Sequence, residues 1–307
     1  MSFLEESLRS TAEELFSATD DHQVTVAELD ELGWSELFDE EPKAAVGILA
    51  EMQGRGLGVS RLLELSMATE LDGLLDPRSE ALAIPMRSLS LSSLAELDDA
   101  LLLVGAPETV VVPVASDEGI SLVRGIATTT QVAGIDPNAG VRRLATLEVG
   151  ETIVLPAGTW DRAIAIGSLE LAEETLGVVG AEIDLAVDHV TNRHQFGVPL
   201  GTFQAVQHRL ADAHVARAAA RAVADLAWES RDPAFCAAAL GAARRAFVTA
   251  RIHGHQVMGA MGFTWEHRQH WYLRRGLLLD LLLDHRPGLA AAVDTIITSS
   301  VRSEIWT

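Results

Sequence analysis

Apolar residues recur at every third or fourth position through the second half of the chain, which is the spacing of one face of a helix. The clearest stripe runs from Leu169 to Val190, and a second stripe runs from Val206 to Val223. Both stripes are rich in alanine and leucine, and this favours helices packed against helices. Further helices are predicted at residues 233–258, 271–284 and 289–300. Because the connections between them are short, the pattern predicts an antiparallel bundle over residues 159–307.

Individual residues mark the ends of these helices. Asp232 followed by Pro233 is the usual combination of an N-cap and a first-turn proline. Gly259 is expected to end the helix that starts there. Between the first two stripes, Gly197 and Pro199 predict a turn, because glycine relaxes the backbone and proline cannot continue a helix.

The chain before the bundle divides into two parts. Residues 1–72 are predicted to be helical, and a Ser10-x-x-Glu13 capping-box pattern predicts a helix start. Residues 73–158 hold short β-branched runs punctuated by Gly, Pro, Asp and Asn, which predict a small strand domain. We therefore expect a mainly α fold with a small β domain between N-terminal helices and a C-terminal antiparallel helical bundle.

Composition narrows the classes of function. The 307 residues include 44 acidic and 23 basic ones, a net charge of −21, which disfavours binding to nucleic acid or to an anionic membrane surface. A few local arginines could still hold an anionic ligand. The single cysteine excludes an internal disulfide framework, and the N-terminal residues lack a signal-peptide pattern. These features predict a soluble, cytoplasmic protein.

Two further patterns are weak. The run at residues 54–58, GRGLG, lacks the preceding strand of a dinucleotide-binding loop, so a loop between helices is expected. The pairs His267-x-x-His270 and His253-x-His255 could bind zinc, but polar helix ends are the commoner outcome. No metal site is predicted.

The most informative stretch covers residues 193–212, with the sequence RHQFGVPLGTFQAVQHRLAD. It places an arginine, three glutamines and two phenylalanines around the predicted turn. Planar donors and flat apolar faces together suit a large, anionic, aromatic ligand. A helix hairpin whose polar residues are merely solvated would give the same pattern.

The run Arg-x-Gln-Phe-Gly-x-Pro-x-x-x-Phe-Gln-x-x-Gln-His-x-Leu-Ala-Asp resembles the signature of the acyl-CoA dehydrogenase family. A second segment at residues 255–267, HQVMGAMGFTWEH, resembles that family's Gln-x-x-Gly-Gly-x-Gly-Phe-Thr-x-Glu element. The family's enzymes are flavoproteins that oxidise an acyl-CoA thioester across its α and β carbons. In the family both segments lie against the flavin of a neighbouring subunit.

The resemblance implies FAD contacts at eight positions. Arg193 could fork onto a pyrophosphate, and glutamine amides could meet polar edges of the ligand. Ala260 replaces the usual second glycine, and its methyl group would crowd a close backbone approach. The eight implied positions are Arg193, Gln195, Phe196, Leu200, Phe203, Gln204, Gln256 and Val257.

The family also needs a carboxylate base that removes the α proton. One family position for this base falls on Gly167, and the Glu-Gly-Thr element of the other position has no match. Glu170 and Glu174 lie opposite the apolar stripe and are predicted to be solvated. Glu266 matches a position without a usual catalytic role. No catalytic residue is therefore predicted in this chain.

Other departures concern the flavin ring and the last helices. No Thr-Glu-x-x-x-Gly-Ser or Trp-Ile-Thr-Asn-like segment is present to hold the ring, and residues 274–276, RRG, replace the usual Arg-Asp.

Three hypotheses remain open at this point. The chain resembles the short subunits that, in steroid-degrading bacteria, pair with a full-length acyl-CoA dehydrogenase subunit in α2β2 assemblies. The partner there supplies the base and most of the flavin pocket, and it would hold most of the acyl-CoA substrate. The alternatives are a self-sufficient homomeric enzyme with a displaced base, such as Glu170 or Glu266, and a flavin-free scaffold of the same fold.

Overall fold

The computed structural model describes residues 3–17, 23–86, 88–103, 105–132 and 136–283. The α-helices are α1 (Phe3–Ser17), α2 (Val26–Glu31), α3 (Trp34–Glu40), α4 (Leu49–Gly56), α5 (Leu62–Thr69), α6 (Thr159–Asn192), α7 (Gln204–Ser230), α8 (Pro233–Met258) and α9 (Gln269–Leu279). The strands are β1 (Ala81–Leu82), β2 (Ile84–Pro85), β3 (Ala100–Leu102), β4 (Thr109–Ser116), β5 (Gly119–Gln131), β6 (Arg142–Val154), β7 (His194–Gln195) and β8 (Val198–Pro199). This order confirms the mainly α fold with a small β domain. The three-part division of the chain stays a prediction.

The N-terminal helices start elsewhere than the sequence pattern suggested. Ser10 lies inside α1, so the capping box predicted there is wrong. The capping box of this region is formed instead by Thr25 and Glu28 at the start of α2, where each side chain meets the other's backbone. Serine in a helix interior is tolerated, which is why the pattern alone misplaced the helix start.

The prediction of a loop at residues 54–58 is only partly correct. The glycines of this run also let one helix pack closely against another. α4 continues to Gly56, and Leu57 then ends it with a positive φ of 61°. A side chain at Gly54 would overlap the carbonyl of Glu174 on α6, and one at Gly177 would overlap the carbonyl of Glu51 on α4. The two glycines therefore let α4 and α6 approach backbone to backbone.

The β domain is a six-stranded sheet in the order β1-β4-β5-β6-β3-β2. Its centre is the antiparallel pair of β5 and β6, whose register shifts at two points. Gly125 lies at one shift, where any side chain would overlap the carbonyl of Glu148. Trp160, in the first turn of α6, donates from Nε1 to the carbonyl of Leu89 at 2.8 Å, which ties the bundle to this domain.

The bundle follows the predicted stripes closely. Every member of the α6 stripe is buried, and Asp232 caps α8 by accepting from the amide of Ala234. The helix predicted at 271–284 is α9, which starts two residues earlier and ends at Leu279. The helix predicted at 289–300 lies outside the described residues. Within the described ranges, no helix is both long and apolar enough to cross a bilayer.

Candidate functional site

The first motif forms the corner between α6 and α7. α6 ends at Asn192, and the β7–β8 hairpin reverses the chain through Phe196 and Gly197, whose φ values are 55° and 85°. The amide of Leu200 donates to the carbonyl of Arg193 at 2.8 Å, which closes the corner. A positive φ is uncommon for phenylalanine, so the hairpin holds this ring in a constrained position.

The side chains of this corner face outward. Arg193, Gln195 and Gln204 are exposed, and Phe196 is 90% exposed. The rings of Phe196 and Phe203 meet edge to face with centroids 6.2 Å apart. Arg193 forms no ion pair with any residue that the structure describes. The corner therefore presents one free guanidinium, two amides and two aromatic faces on its surface.

The second motif lies at the end of α8 and meets the first motif through apolar side chains. Val257 is buried with Ala186 and Val190 of α6, and Leu200 packs against the same cluster. Gln256, the neighbour of Val257, is exposed. The tertiary structure thus brings together the two segments that the sequence separates by about fifty residues.

The predicted contact Val257 and the departure at Ala260 have different surroundings in the second motif. The side chain of Val257 belongs to the apolar cluster, so a ligand contact from this residue would have to come from its backbone. Ala260 is exposed in the turn of 3₁₀ helix Gly259–Phe263, directly after Gly259 with its φ of 59°.

Gly167, the family position of a base, is packed closely against apolar side chains. An added Cβ would lie 2.9 Å from both Sδ and Cγ of Met67 and 3.1 Å from Cδ1 of Leu283. Met67 comes from α5, and Leu283 follows α9. The space where a carboxylate would be needed is therefore occupied by two apolar side chains.

The prediction that Glu170 and Glu174 are solvated is wrong. Glu170 is 0% exposed and Glu174 is 4% exposed, and their neighbour Glu173 is buried as well. These glutamates are buried because the middle of α6, residues 165–183, is buried on every side by contacts with α4, α5, α7, α8 and α9. A stretch of helix that is covered all round has no solvated face.

The three glutamates differ in their partners. Glu173 accepts from Arg221 of α7 and from Nε1 of Trp228. Glu174 accepts from Gln53 of α4 at 2.8 Å and from Arg275 of α9 at 3.0 Å. Burial raises the pKa of both carboxyls, and the neighbouring arginine opposes that rise in each case.

Glu170 is the exception among them. Neither of its carboxyl oxygens has a hydrogen-bond partner among the described residues. Burial raises the pKa of Glu170 well above its ordinary value, and the charges of Glu174 and Glu173 raise it further. Glu170 therefore keeps its proton to a higher pH than an exposed glutamate does.

Arg275 was missed as a structural residue. The sequence marked it only as a departure from the usual Arg-Asp, yet its side chain is buried with two acidic partners, Asp136 and Glu174. An arginine in a helix gives no sequence signal of burial. Gly276, the next residue, makes room for the ring of Phe247 from α8.

Glu266, His267 and His270 lie at the start of the α9 region, whereas His253 and His255 lie on α8. Glu266 is exposed and lines a cleft of about 670 Å³ together with Trp265 and Arg268. The ring of His270 stacks on Trp265 and points its Nε2 at the Trp265 carbonyl, 3.0 Å away. In the part of the chain that is described, no three His, Cys, Asp or Glu side chains converge as metal ligands.

Comparison with known proteins decides the family. A model of the acyl-CoA dehydrogenase C-terminal domain matches residues 161–282. The acyl-CoA dehydrogenase IpdE2 of Mycobacterium tuberculosis is 35% identical over 236 residues, which are 76% of this chain and 71% of that protein. The chain belongs to the acyl-CoA dehydrogenase family.

Solved structures show the same acyl-CoA dehydrogenase fold over almost the whole chain. The Tcur3481-Tcur3483 steroid ACAD G363A variant superposes with a TM-score of 0.73 at 19% identity, covering 96% of this chain and 99% of that one. The ChsE4-ChsE5 complex from Mycobacterium tuberculosis gives a TM-score of 0.72 at 16% identity, covering 97% and 98%. At these identities the likeness establishes the fold.

In this member of the acyl-CoA dehydrogenase family, Gly167 and the first motif differ in their exposure to solvent. The position of Gly167 is closed by packing, whereas the motif residues Arg193, Gln195, Phe196 and Gln204 are open to solvent. The chain thus offers a polar and aromatic face, and the position where the resemblance locates a base is a glycine packed against apolar side chains.

Proposed function

We propose that this chain is a subunit of an FAD-dependent acyl-CoA dehydrogenase that forms part of a flavin site across a subunit interface. A full-length acyl-CoA dehydrogenase subunit would supply the catalytic carboxylate and most of the substrate pocket, in an α2β2 assembly. The α,β-dehydrogenation of an acyl-CoA thioester is the reaction of that assembly. Under this proposal, no residue of this chain acts as a catalytic residue.

The observation that carries the proposal is the contrast between an open motif face and a closed base position. The eight predicted contact residues lie on two segments that meet through Leu200 and Val257. Six of the eight are exposed and Leu200 is half-buried, so they form one side of a site. A ligand that binds to such a face becomes enclosed on both sides when a second polypeptide covers it.

The residues of this face fit the part of FAD that is polar and charged. Arg193 has a planar guanidinium without an acidic partner among the described residues, and a guanidinium can fork onto a pyrophosphate. The exposed amides of Gln204 and Gln256 can exchange hydrogen bonds with the polar edges of the nucleotide. The rings of Phe196 and Phe203 can cover an apolar face of the ligand.

FAD, when bound, supplies the acceptor for the hydride that leaves the β carbon. The residues of this chain would bind and orient the nucleotide and exclude water from it. Proton removal from the α carbon is assigned to the partner, because Gly167 is packed against Met67 and cannot carry a base.

The substrate class of the assembly is proposed from the related proteins. One of the similar structures is described as a steroid acyl-CoA dehydrogenase, and another is a complex of two named subunits. We propose a bulky, steroid-derived acyl-CoA as the substrate and a hetero-oligomer as the working form.

A homomeric enzyme with a displaced base is less well supported. Glu170 has a raised pKa, as a general base often does, but it is 0% exposed and so out of reach of a ligand in this structure. Glu266 is exposed, but its cleft is lined by the first helix, the β5–β6 connection and the start of α9, away from Gly167.

The test is to purify the chain alone and together with a candidate full-length subunit, and to record the flavin absorption spectrum of each. Flavin absorbance and thioester oxidation only in the mixed complex are expected. A yellow, active chain by itself would support the homomeric alternative. A colourless product in both preparations would support a flavin-free scaffold.

A further inference from the structure

A buried polar cluster lies directly behind the second motif, where α6, α8 and the start of α9 meet. Its centre is Glu182, which is 0% exposed in the middle of the bundle. The Nε2 atom of Gln269 donates to Oε1 of Glu182 at 2.7 Å. The Nδ1 atom of His255 lies 3.8 Å from the same oxygen. One carboxyl therefore faces side chains from both neighbouring helices.

Two glycines let these side chains reach the turn that follows α8. A Cβ at Gly254 would lie 3.1 Å from Nε2 of Gln269 and 3.7 Å from Cγ of Glu182. A Cβ at Gly262 would lie 3.7 Å from Cγ of Gln269 and 3.8 Å from Cδ2 of His255. Gln269 thus fills the space between the end of α8 and the turn.

The same cluster also contacts the turn at Gly259–Phe263 through an aromatic ring. The ring of His255 packs against the ring of Phe263 with centroids 5.2 Å apart. His255 immediately precedes Gln256, which is one of the proposed flavin contacts. Movement of the imidazole would therefore be passed to Gln256 and to the turn at Gly259–Phe263.

The hydrogen bonds of the cluster leave several buried atoms without partners. Nδ1 of His255 lies 2.9 Å from the carbonyl of Arg251 and donates to it. Nε2 of His255, Oε1 of Gln269 and Oε2 of Glu182 are all buried without hydrogen-bond partners among the described residues. Glu182 therefore has one oxygen held by Gln269 and one oxygen that no described group stabilises as an anion.

Burial favours the protonated form of Glu182. Burial raises the pKa of Glu182 from 4.5 to about 8, although the hydrogen bond from Gln269 and the charge of Arg251 oppose the rise. The groups that face Glu182 are Gln269 from α9 and His255 and Arg251 from α8. The carboxyl is therefore neutral at pH 7 and ionises in the mildly alkaline range.

We propose that Glu182 is a positioning residue that, through Gln269 and His255, holds the second motif in the conformation that meets the flavin. The idea rests on the proposed function, because it takes Gln256 and the turn after it as part of the FAD face. Glu182 itself is sealed from any ligand and acts only through its neighbours.

The experiment compares three variants of the flavin-binding preparation. Glu182→Leu removes the polar anchor, and Glu182→Gln keeps a neutral group that can both donate and accept. The matched control is Glu170→Leu, another buried glutamate on the same helix. Glu170 lies about 18 Å away along α6 by the helical rise and has no partner in the second motif.

We expect Glu182→Leu to weaken FAD binding about tenfold, as measured by flavin fluorescence titration, with Glu182→Gln restoring most of it. Wild-type affinity should fall as the pH rises through about 8, and the Glu182→Gln variant should lose this pH dependence. Equal effects of Glu182→Leu and Glu170→Leu on FAD affinity would overturn the proposal, since they would report a general loss of stability.

Amide hydrogen exchange of residues 259–264 in the chain without flavin gives a second measurement. Faster exchange in Glu182→Leu than in Glu170→Leu supports the anchoring of the turn, and equal exchange overturns it. If the wild type binds no FAD in any preparation, the proposed function fails. The exchange rates then decide by themselves whether Glu182 anchors the turn. Altered exchange with unchanged FAD affinity overturns the link between the anchor and the flavin.

Discussion

The Nη1 atom of Arg275 lies 3.0 Å from Oε1 of Glu174, and both side chains are buried where α6 and α9 face each other. The same guanidinium donates from Nε to Asp136 at 2.7 Å and from Nη1 to the carbonyl of Gly58 at 2.7 Å. Gly58 follows α4, and Asp136 belongs to the connection between β5 and β6. One buried cation therefore joins the N-terminal helices, the β domain and the bundle.

We expect Arg275→Met to lower the free energy of unfolding by about 3–5 kcal/mol, because it leaves two buried carboxyls without their cation. Urea denaturation followed by circular dichroism measures the change. Adding Glu174→Gln should recover part of the loss, because one of the uncompensated charges is then gone. Arg274→Met is the control, since Arg274 stacks on Trp265 and Trp271 at the half-buried surface. A similar loss in both single variants would contradict the role given to Arg275.

The buried, unpartnered carboxyl of Glu170 predicts a stability that depends on pH. Its pKa is raised above the ordinary 4.5 in the folded state. The folded form therefore keeps a proton that the unfolded chain has already released. The contribution of Glu170 is fully present below pH 4.5 and is lost as the pH rises toward the folded pKa, by up to about 1.4 kcal/mol per pH unit.

Glu170→Gln removes this loss, so the variant should gain stability over the wild type as the pH increases. Urea unfolding of both proteins at pH values of about 5 and 7.5 measures the difference. Glu229→Gln, at an exposed position on α7, should show no such trend. A constant difference between Glu170→Gln and the wild type across the pH range would mean that Glu170 is not a buried neutral acid.

The closed space at Gly167 predicts an unusual response to alanine. In an open helix position the change from glycine to alanine stabilises by about 1 kcal/mol. Gly167→Ala should instead destabilise by about 1–3 kcal/mol, because the new methyl group meets Met67 at 2.9 Å. Gly47→Ala is the control, since its nearest atoms would lie at 3.7 Å. Thermal melting of both variants shows whether each substitution stabilises or destabilises the fold. A stabilised Gly167→Ala variant would show that the space beside Gly167 is open.

The free guanidinium of Arg193 predicts a loss of flavin without a loss of fold. Arg193→Ala should weaken FAD binding by about tenfold or more, because a charge-assisted hydrogen bond contributes about 1.5–3 kcal/mol. The flavin-to-protein ratio of the purified complex is the measurement. Arg143→Ala, an exposed arginine on β6, is the control. Unchanged flavin content in Arg193→Ala would remove the pyrophosphate role from this residue.

Glu266 offers a direct test of the division of labour. Glu266→Gln should leave most of the thioester oxidation of the mixed complex intact, because the proposal assigns the base to the partner. The turnover number under substrate saturation, measured with an artificial electron acceptor, is the readout. Complete loss of turnover with normal flavin content would move the base onto this chain.

The sequence determined the helical periods, the cap at Asp232, the turn at Gly197 and the family, because these depend on local spacing and on motifs that are continuous along the chain. Tertiary structure decided the environment of the charged residues. Glu170 and Glu174 have a polar position in the helical pattern, but they lie in the middle of α6, where residues 165–183 are all buried. The burial of Arg275, the closed space at Gly167 and the cluster around Glu182 each bring together three separate segments of the chain. Such contacts join residues about 90 or more positions apart, and no local pattern encodes them.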